Sequence, residues 1–368
     1  MDDCETVRRT YSYILYYKGF RHNLQCGNLL FSVALEQILF FAQNIRLVFV
    51  HFVPFSEIQT ERMVAIMTVS LFSGQGSQYI GMGLDLLDAD PALAAIYHTA
   101  SAVLGFDLKD IIQNSDAETL ARTIYAQPAI MATSLCCLEA AKKRGYIFDA
   151  VAGHSLGEYA AMVASGMLSL EDGFRVIKAR SEAMDAAAQQ ADGAMCAILK
   201  LKPEEVERIC AETEGYVVPA NYNSSVQTVI AGDKPAVEAA AAACAALKGR
   251  AVPLAVASAF HTKRMQSAAD AFYTAMQDVT FQKPEVRFYS NVLGTELTDF
   301  SDMPSLLAKH IVSPVRFTQE LAQMQADGAD TFIEFGPKAV LTGLVKKTLK
   351  NVTAKNCESV ATLEEVMA

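Results

Sequence analysis

No two cysteines in this 368-residue sequence stand in C-x-x-C spacing, and none clusters with histidine. That absence removes support for a zinc site or a thioredoxin-like redox motif. The eight cysteines lie scattered at 4, 26, 136, 137, 196, 210, 244 and 357. Scattered thiols in a chain of this size point to a reducing, cytoplasmic setting. Charge is sparse at 20% of residues, and its balance is acidic, with a formal net charge of −10. Such a field disfavours nonspecific nucleic-acid binding, and an acidic protein partner would need a local basic patch to dock. No apolar run reaches the roughly 20 residues of a membrane span. The longest candidate, Leu29 to Phe55, is interrupted by Glu36, Gln37 and Arg46. A signal peptide fits poorly, because the first long apolar run lies well inside the chain and no small-residue cleavage site follows a basic start. There is no internal repeat and no low-complexity linker. What is present, 52% hydrophobic residues in an Ala- and Leu-rich texture, is enough for one large core or two unequal ones.

Residues 1–66 differ from the rest. They carry seven Phe and apolar runs such as Leu29-Leu30-Phe31 and Ile38-Leu39-Phe40-Phe41 without a regular strand and helix rhythm. Three readings stay open for this N-terminal extension: an amphipathic helix on a membrane surface, an extension packed on the domain, or non-native upstream sequence. In the last case Met63 or Met67 is the natural start, and the segment is disordered or absent in the cell.

From Leu71 onward strand-like and helix-like segments alternate. Val69–Phe72 and Phe148–Gly153 read as short buried strands. Pro91–Leu104, Ala129–Arg144, Tyr159–Ser165 and Leu170–Ala188 read as helices. Gly145 after Lys142-Lys143-Arg144 is a helix stop. This pattern predicts an α/β fold, with a mainly parallel sheet covered on both faces. Residues 190–257 have another rhythm: strands at 193–199, 216–220, 228–232 and 251–254, helices at 203–213 and 234–247, and a polar turn at Asn223-Ser224-Ser225. That order, β-α-β-β-α-β, is ferredoxin-like. The small unit is therefore an insert in a large catalytic subdomain made of 67–189 and 258–368, with strands resuming at Val286–Asn291 and Thr331–Phe335.

The sharpest motif is Gly153-His154-Ser155-Leu156-Gly157, a G-x-S-x-G between a strand and a helix. A serine at such a turn is lifted into solvent, and the flanking glycines permit the turn without Cβ clashes. The N–H of Leu156 and the positive end of the following helix then face a developing oxyanion. A serine nucleophile needs a base. Of the histidines at 22, 51, 98, 154, 261 and 310, His261 is the best placed, past a strand and before a helix, where reacting groups of α/β sheets gather.

At this point the residues match a family. Phe72-Ser73-Gly74-Gln75-Gly76-Ser77-Gln78, Gly81-Met82-Gly83, Gln127-Pro128-Ala129, Gly153 to Glu158, Ala179-Arg180 with Met184, Ala220-Asn221-Tyr222-Asn223, Ala259-Phe260-His261-Thr262, Ser313 to Phe317 and Glu334 to Pro337 occur in order. The chain resembles malonyl-CoA:acyl carrier protein transacylases, the acyltransferases of fatty-acid and polyketide synthesis. Ser73 stands where many members have proline. The resemblance implies a large hydrolase-like domain and a ping-pong transfer of malonyl from malonyl-CoA to the phosphopantetheine thiol of an acyl carrier protein, supplying fatty-acid elongation. It implies Ser155 as nucleophile and His261 as base, steadied by the backbone carbonyl of His310 rather than by a catalytic aspartate. It further implies an oxyanion hole from the N–H groups of Gln75 and Leu156, and Arg180 as the clamp on the malonyl carboxylate. It implies too that Gln127, Met184, Asn223 and Phe260 line the pocket. No metal and no cofactor beyond the two substrates is expected, and a monomer is expected. The alternatives are an acyltransferase acting in trans on a polyketide synthase, a serine esterase or thioesterase, and a non-catalytic scaffold. Lys263-Arg264 and Lys346-Lys347 with Lys350 are candidate docking patches for the acidic carrier.

Overall fold

The computed structural model describes residues 67–368 except 191 and 257; the three readings of residues 1–66 lie outside the described residues. The segment Thr68-Val69-Ser70-Leu71-Phe72 is apolar on both faces apart from small hydroxyls. It forms β1 (Met67–Phe72), buried almost throughout, as a strand covered by helices on both sides must be. Beside it lie β2 (Ala150–Gly153), β7 (Arg287–Ser290), β8 (Thr295–Glu296), β9 (Ala329–Phe335) and β10 (Thr353–Cys357). The sheet order is β10-β9-β1-β2-β7-β8, parallel throughout except for the short β8 hairpin strand.

Register decides where the site forms. Phe72 pairs with Gly153 on one side and Phe335 on the other. Three strands therefore end level, and the turns that follow them meet at one edge of the sheet: Ser73–Ser77, His154–Leu156 and Gly336-Pro337. Carboxyl ends of parallel strands are where such folds gather ligands.

Between two parts of that layer lies a second, antiparallel sheet made of β3 (Gly193–Leu199), β4 (Val217–Ser224), β5 (Gln227–Asp233) and β6 (Arg250–Pro253), in the order β4-β5-β3-β6. Its helices, Pro203–Glu212 and Lys234–Ala246, share one apolar core with the sheet, built on Ile198, Val206, Ile209, Ile230, Val237 and Ala240. The element order, β-α-β-β-α-β, is the one expected from the sequence. Backbone bonds from Tyr222 N–H to the Val315 carbonyl and from Val315 N–H to the Ala220 carbonyl tie β4 to the large layer.

Three details differ from the expectations drawn from the sequence. The helix expected from Ala129 begins at Thr123 and runs to Lys143, taking Pro128 into its second turn. Proline there removes one helical N–H, which a buried helix of this length tolerates, and Gln127 gains a rigid platform. The polar stretch Asn223-Ser224-Ser225 is not wholly a turn: β4 continues to Ser224 through two irregularities in register, so Asn223 sits in the strand. β10 was not expected, because Thr-Ala-Lys-Asn-Cys is an edge strand with only its second and last residues buried.

Candidate active site

The turn after β2 carries Ser155 at φ 54°, a left-handed conformation rare for a residue with a side chain. The flanking glycines serve close packing. A Cβ on Gly157 would lie 2.1 Å from the Phe72 carbonyl oxygen, and one on Gly153 would lie 2.0 Å from the Gly157 carbonyl carbon. Neither approach is possible for a larger residue, so strand, turn and the helix Gly157–Ala164 are locked together. His154 and Ser155 point apart: His154 Nε2 meets Asn223 Oδ1 at 2.8 Å, whereas Ser155 Oγ meets His261 Nε2 at 2.8 Å.

His261 follows an irregular segment after β6 and precedes the 3-10 turn Lys263–Met265. It too is left-handed, at φ 60°. Its Nδ1 donates to the His310 carbonyl at 3.1 Å, which leaves the Nε2 lone pair facing Ser155. Among the described residues no carboxylate pairs with His261; the only histidine within ion-pair distance of an acid is His310. Burial, then the charge of Arg180, push the His261 imidazole down to about 3, so it is neutral and able to accept a proton at physiological pH.

Arg180 lies on the helix Leu170–Gln190 and is 0% exposed. Its Nη2 donates to Ser155 Oγ at 3.0 Å, and its Nη1 to Gln127 Oε1 at 2.8 Å. The guanidinium stacks 5.0 Å from the Tyr159 ring centroid, and its Nε has no partner among the described residues. Glu158, the nearby acid, is pushed up to about 8 by desolvation, so it is mostly uncharged near neutral pH. A buried cation without a charged partner is costly, and this one is aimed at the serine oxygen.

The remaining expected residues stand around these three. Gln127 Nε2 reaches Gln75 Oε1 at 3.4 Å and Met184 Sδ at 3.6 Å. Phe260 is almost fully buried next to His261. Leu156 is the residue before the elbow helix, and Gln75 sits in the turn after β1. Among the described residues neither the Gln75 nor the Leu156 N–H has a protein acceptor. Gly74 lets that turn approach the elbow, since a Cβ there would lie 2.8 Å from the His154 carbonyl oxygen. Of the basic candidates for docking, Arg264 already holds Asp233 with two bonds, at 2.8 and 2.6 Å.

A serine, an imidazole with a free lone pair, two open N–H groups and a guanidinium in one place are the parts of acyl transfer through an ester. A family profile described as the acyl transferase domain matches residues 69–366. A malonyl CoA-acyl carrier protein transacylase of Bacillus subtilis strain 168 is 39% identical over 298 residues, covering 79% of this chain and 94% of the relative. One of Escherichia coli K12 is 38% identical, covering 77% and 93%.

The chain belongs to the malonyl CoA-acyl carrier protein transacylase family of acyl transferases.

Among solved structures, this acyl transferase is similar to the transacylase of Clostridium perfringens, with a TM-score of 0.78 at 35% identity over 82% of this chain and 96% of the other. It is equally similar to a malonyl-transacylase solved in complex with its type II polyketide-synthase acyl-carrier protein, with a TM-score of 0.79 at 34% identity over 82% and 99%.

Sequence reasoning overlooked part of the transacylase site. Asn291, Glu320 and the side chains of Glu158 and His310 are all buried beneath the elbow, and Tyr159 underlies Arg180. Glu158 stands at the end of the elbow motif and Asn291 at the end of an expected strand. Their meeting is a matter of tertiary packing. No described group of three or more His, Cys, Asp or Glu is arranged to hold a metal, and no described helix is long and apolar enough to cross a membrane.

Proposed function

We propose that this acyl transferase moves malonyl from malonyl-CoA to the phosphopantetheine thiol of an acyl carrier protein, through an ester on Ser155. The observation that carries this reading is Arg180: a fully buried guanidinium, held by an amide instead of a carboxylate, 3.0 Å from Ser155 Oγ. A malonyl group ends in a free carboxylate. A guanidinium binds one through parallel charged hydrogen bonds, and placing it here holds the thioester carbonyl against the serine.

The steps follow. Ser155 Oγ attacks the thioester carbonyl as His261 Nε2 takes its proton. The oxyanion is held by the N–H groups of Gln75 and Leu156. Collapse expels the coenzyme A thiolate, which takes the proton from His261 and leaves as the thiol. The carrier thiol then enters, gives its proton to His261 and attacks the malonyl ester; collapse returns the proton to Ser155. The His310 carbonyl keeps the imidazole in the tautomer both halves need. Gln127, Met184, Asn223 and Phe260 line the acyl pocket. Coenzyme A and the carrier are substrates, and the residues named require no cofactor. Two relatives named for malonyl transfer to a carrier protein at 38–39% identity support the substrate assignment. Scattered, buried thiols support a cytoplasmic location.

Intact mass after brief mixing with malonyl-CoA tests the reading. Wild type gains one malonyl group, Ser155→Ala gains none, and Arg180→Ala gains far less. Free malonate without an adduct would mean a hydrolase, and an adduct retained in Ser155→Ala would remove the serine from its role. Transfer to fatty-acid and polyketide carriers side by side identifies the acceptor.

A further inference from the structure

A circuit of polar contacts closes beneath Ser155 and His261. The Ser155 N–H donates to Asn291 Oδ1 at 2.7 Å. The Asn291 N–H donates to Glu158 Oε1. The other Glu158 oxygen lies 3.3 Å from His310 Nδ1. The His310 carbonyl accepts from His261 Nδ1, and His261 Nε2 returns to Ser155 Oγ. Glu158, Asn291 and His310 are at most 2% exposed.

We propose that Glu158 and Asn291 are positioning residues: they join the carbonyl that orients the base to the backbone of the nucleophile, in a site whose histidine has no acid of its own among the described residues. The proposal rests on the reading of Ser155 and His261 as nucleophile and base.

Asn291 is built for this. Its Nδ2 donates to the Gly153 carbonyl at 2.7 Å and to Glu320 Oε1 at 2.6 Å, while its Oδ1 takes the Ser155 N–H. One side chain thus grips the elbow two residues apart, on both sides of His154, and a left-handed serine persists only where its surroundings over-determine it. Glu158 makes the second half of the link. Burial keeps its carboxyl protonated near neutral pH, up to about 8, and pushes the His310 imidazole down. A neutral acid can then share its proton with a neutral ring nitrogen. The charged or titratable groups that face this pair are Arg180, Tyr159, Glu320, His154 and His261. In the structure His310 Nδ1 lies 3.3 Å from the Glu158 oxygen without a hydrogen bond between them, and His310 Nε2 has no partner among the described residues. An apolar filler would satisfy the packing without making the link, which separates positioning from mere structure.

The test uses phenylmethylsulfonyl fluoride, which carries no carboxylate and so reports the Ser155–His261 pair without the acyl donor. The serine oxygen forms a bond to sulfur, the sulfur–fluorine bond breaks, and the proton and fluoride leave as hydrogen fluoride. Labelling rates come from intact mass, with the site confirmed against Ser155→Ala. Glu158→Gln, whose amide can accept from Asn291 and donate to His310, labels within about threefold of wild type, whereas Glu158→Leu slows at least about tenfold with its thermal transition retained. A Leu variant that labels at the wild-type rate overturns the proposal, as does a Gln variant slowed as much as the Leu variant. If Glu158→Leu does not fold, Asn291→Ser supplies the second reading: a loss of about tenfold supports the link, and a wild-type rate refutes it. Wild type that never labels at Ser155 overturns the underlying assignment of the pair, a result distinct from either.

Discussion

Arg180 Nη1 donates to Gln127 Oε1 across 2.8 Å, so the buried guanidinium is oriented by a neutral amide and its charge stays available. A carboxylate in the same place would orient it equally well and also neutralise it. Gln127→Glu is therefore expected to raise KM for malonyl-CoA by about tenfold or more, while acetyl-CoA, which has no carboxylate to clamp, is affected much less. Steady-state kinetics with both donors checks this, and equal losses for the two would show that Gln127 acts on something other than the clamp.

Arg180 also acts on His261. Burial is the larger cause of the low His261 value, and the Arg180 charge is the next. With His261 as the proposed base, the neutral imidazole is the competent form, so the rate of acylation is expected to fall as pH drops through the His261 pKa. Removing the positive charge raises that pKa. Arg180→Ala, assayed with acetyl-CoA, is expected to move the acid limb of the pH–rate profile upward by about one unit. An unmoved limb would mean that the charge is screened from the imidazole.

Gly157 is a packing requirement, with the Phe72 carbonyl oxygen 2.1 Å from where a Cβ would sit. Gly157→Ala must push the elbow helix off the end of β1, and is expected to lower stability by at least about 2 kcal/mol and to lower acylation with it. Urea denaturation checks the first part; a change under about 0.5 kcal/mol would show that the helix moves freely.

Glu158 links pH to stability. Its carboxyl is raised from an ordinary 4.5 to about 8 by desolvation. Between those values the folded protein keeps a proton that the unfolded chain releases, so stability falls as pH rises through that window and is complete below it. Glu320, also raised by burial, adds in the same direction. Tm measured across this range is expected to fall less steeply in Glu158→Gln than in wild type. An unchanged slope would place the charged form of Glu158 in the folded protein.

Much of the fold and of the site is legible in the amino-acid sequence. The strand at Val69–Phe72, the elbow at Gly153–Gly157 and the two layers with different rhythms follow from apolar periodicity and from glycine spacing, which are local properties of the chain. The helix through Pro128 and the strand through Asn223 do not. Both place polar residues against partners distant in sequence, Arg180 and His154, and local propensity carries no record of such partners.

By itself, the sequence determined the layers, the elbow and the residue types that acyl transfer requires, because these are written in short-range spacing. Only the tertiary structure decided that Ser155, His261 and Arg180 share one point, that the guanidinium reaches it with no carboxylate partner among the described residues, and that Glu158 and Asn291 lie buried beneath it. The reason is physical. Burial sets the charge state of each of these groups, and burial is made by segments that meet from across the chain: the β1, β2 and β9 strand ends, the helix that carries Arg180, the turn at His261 and the loop at Asn291.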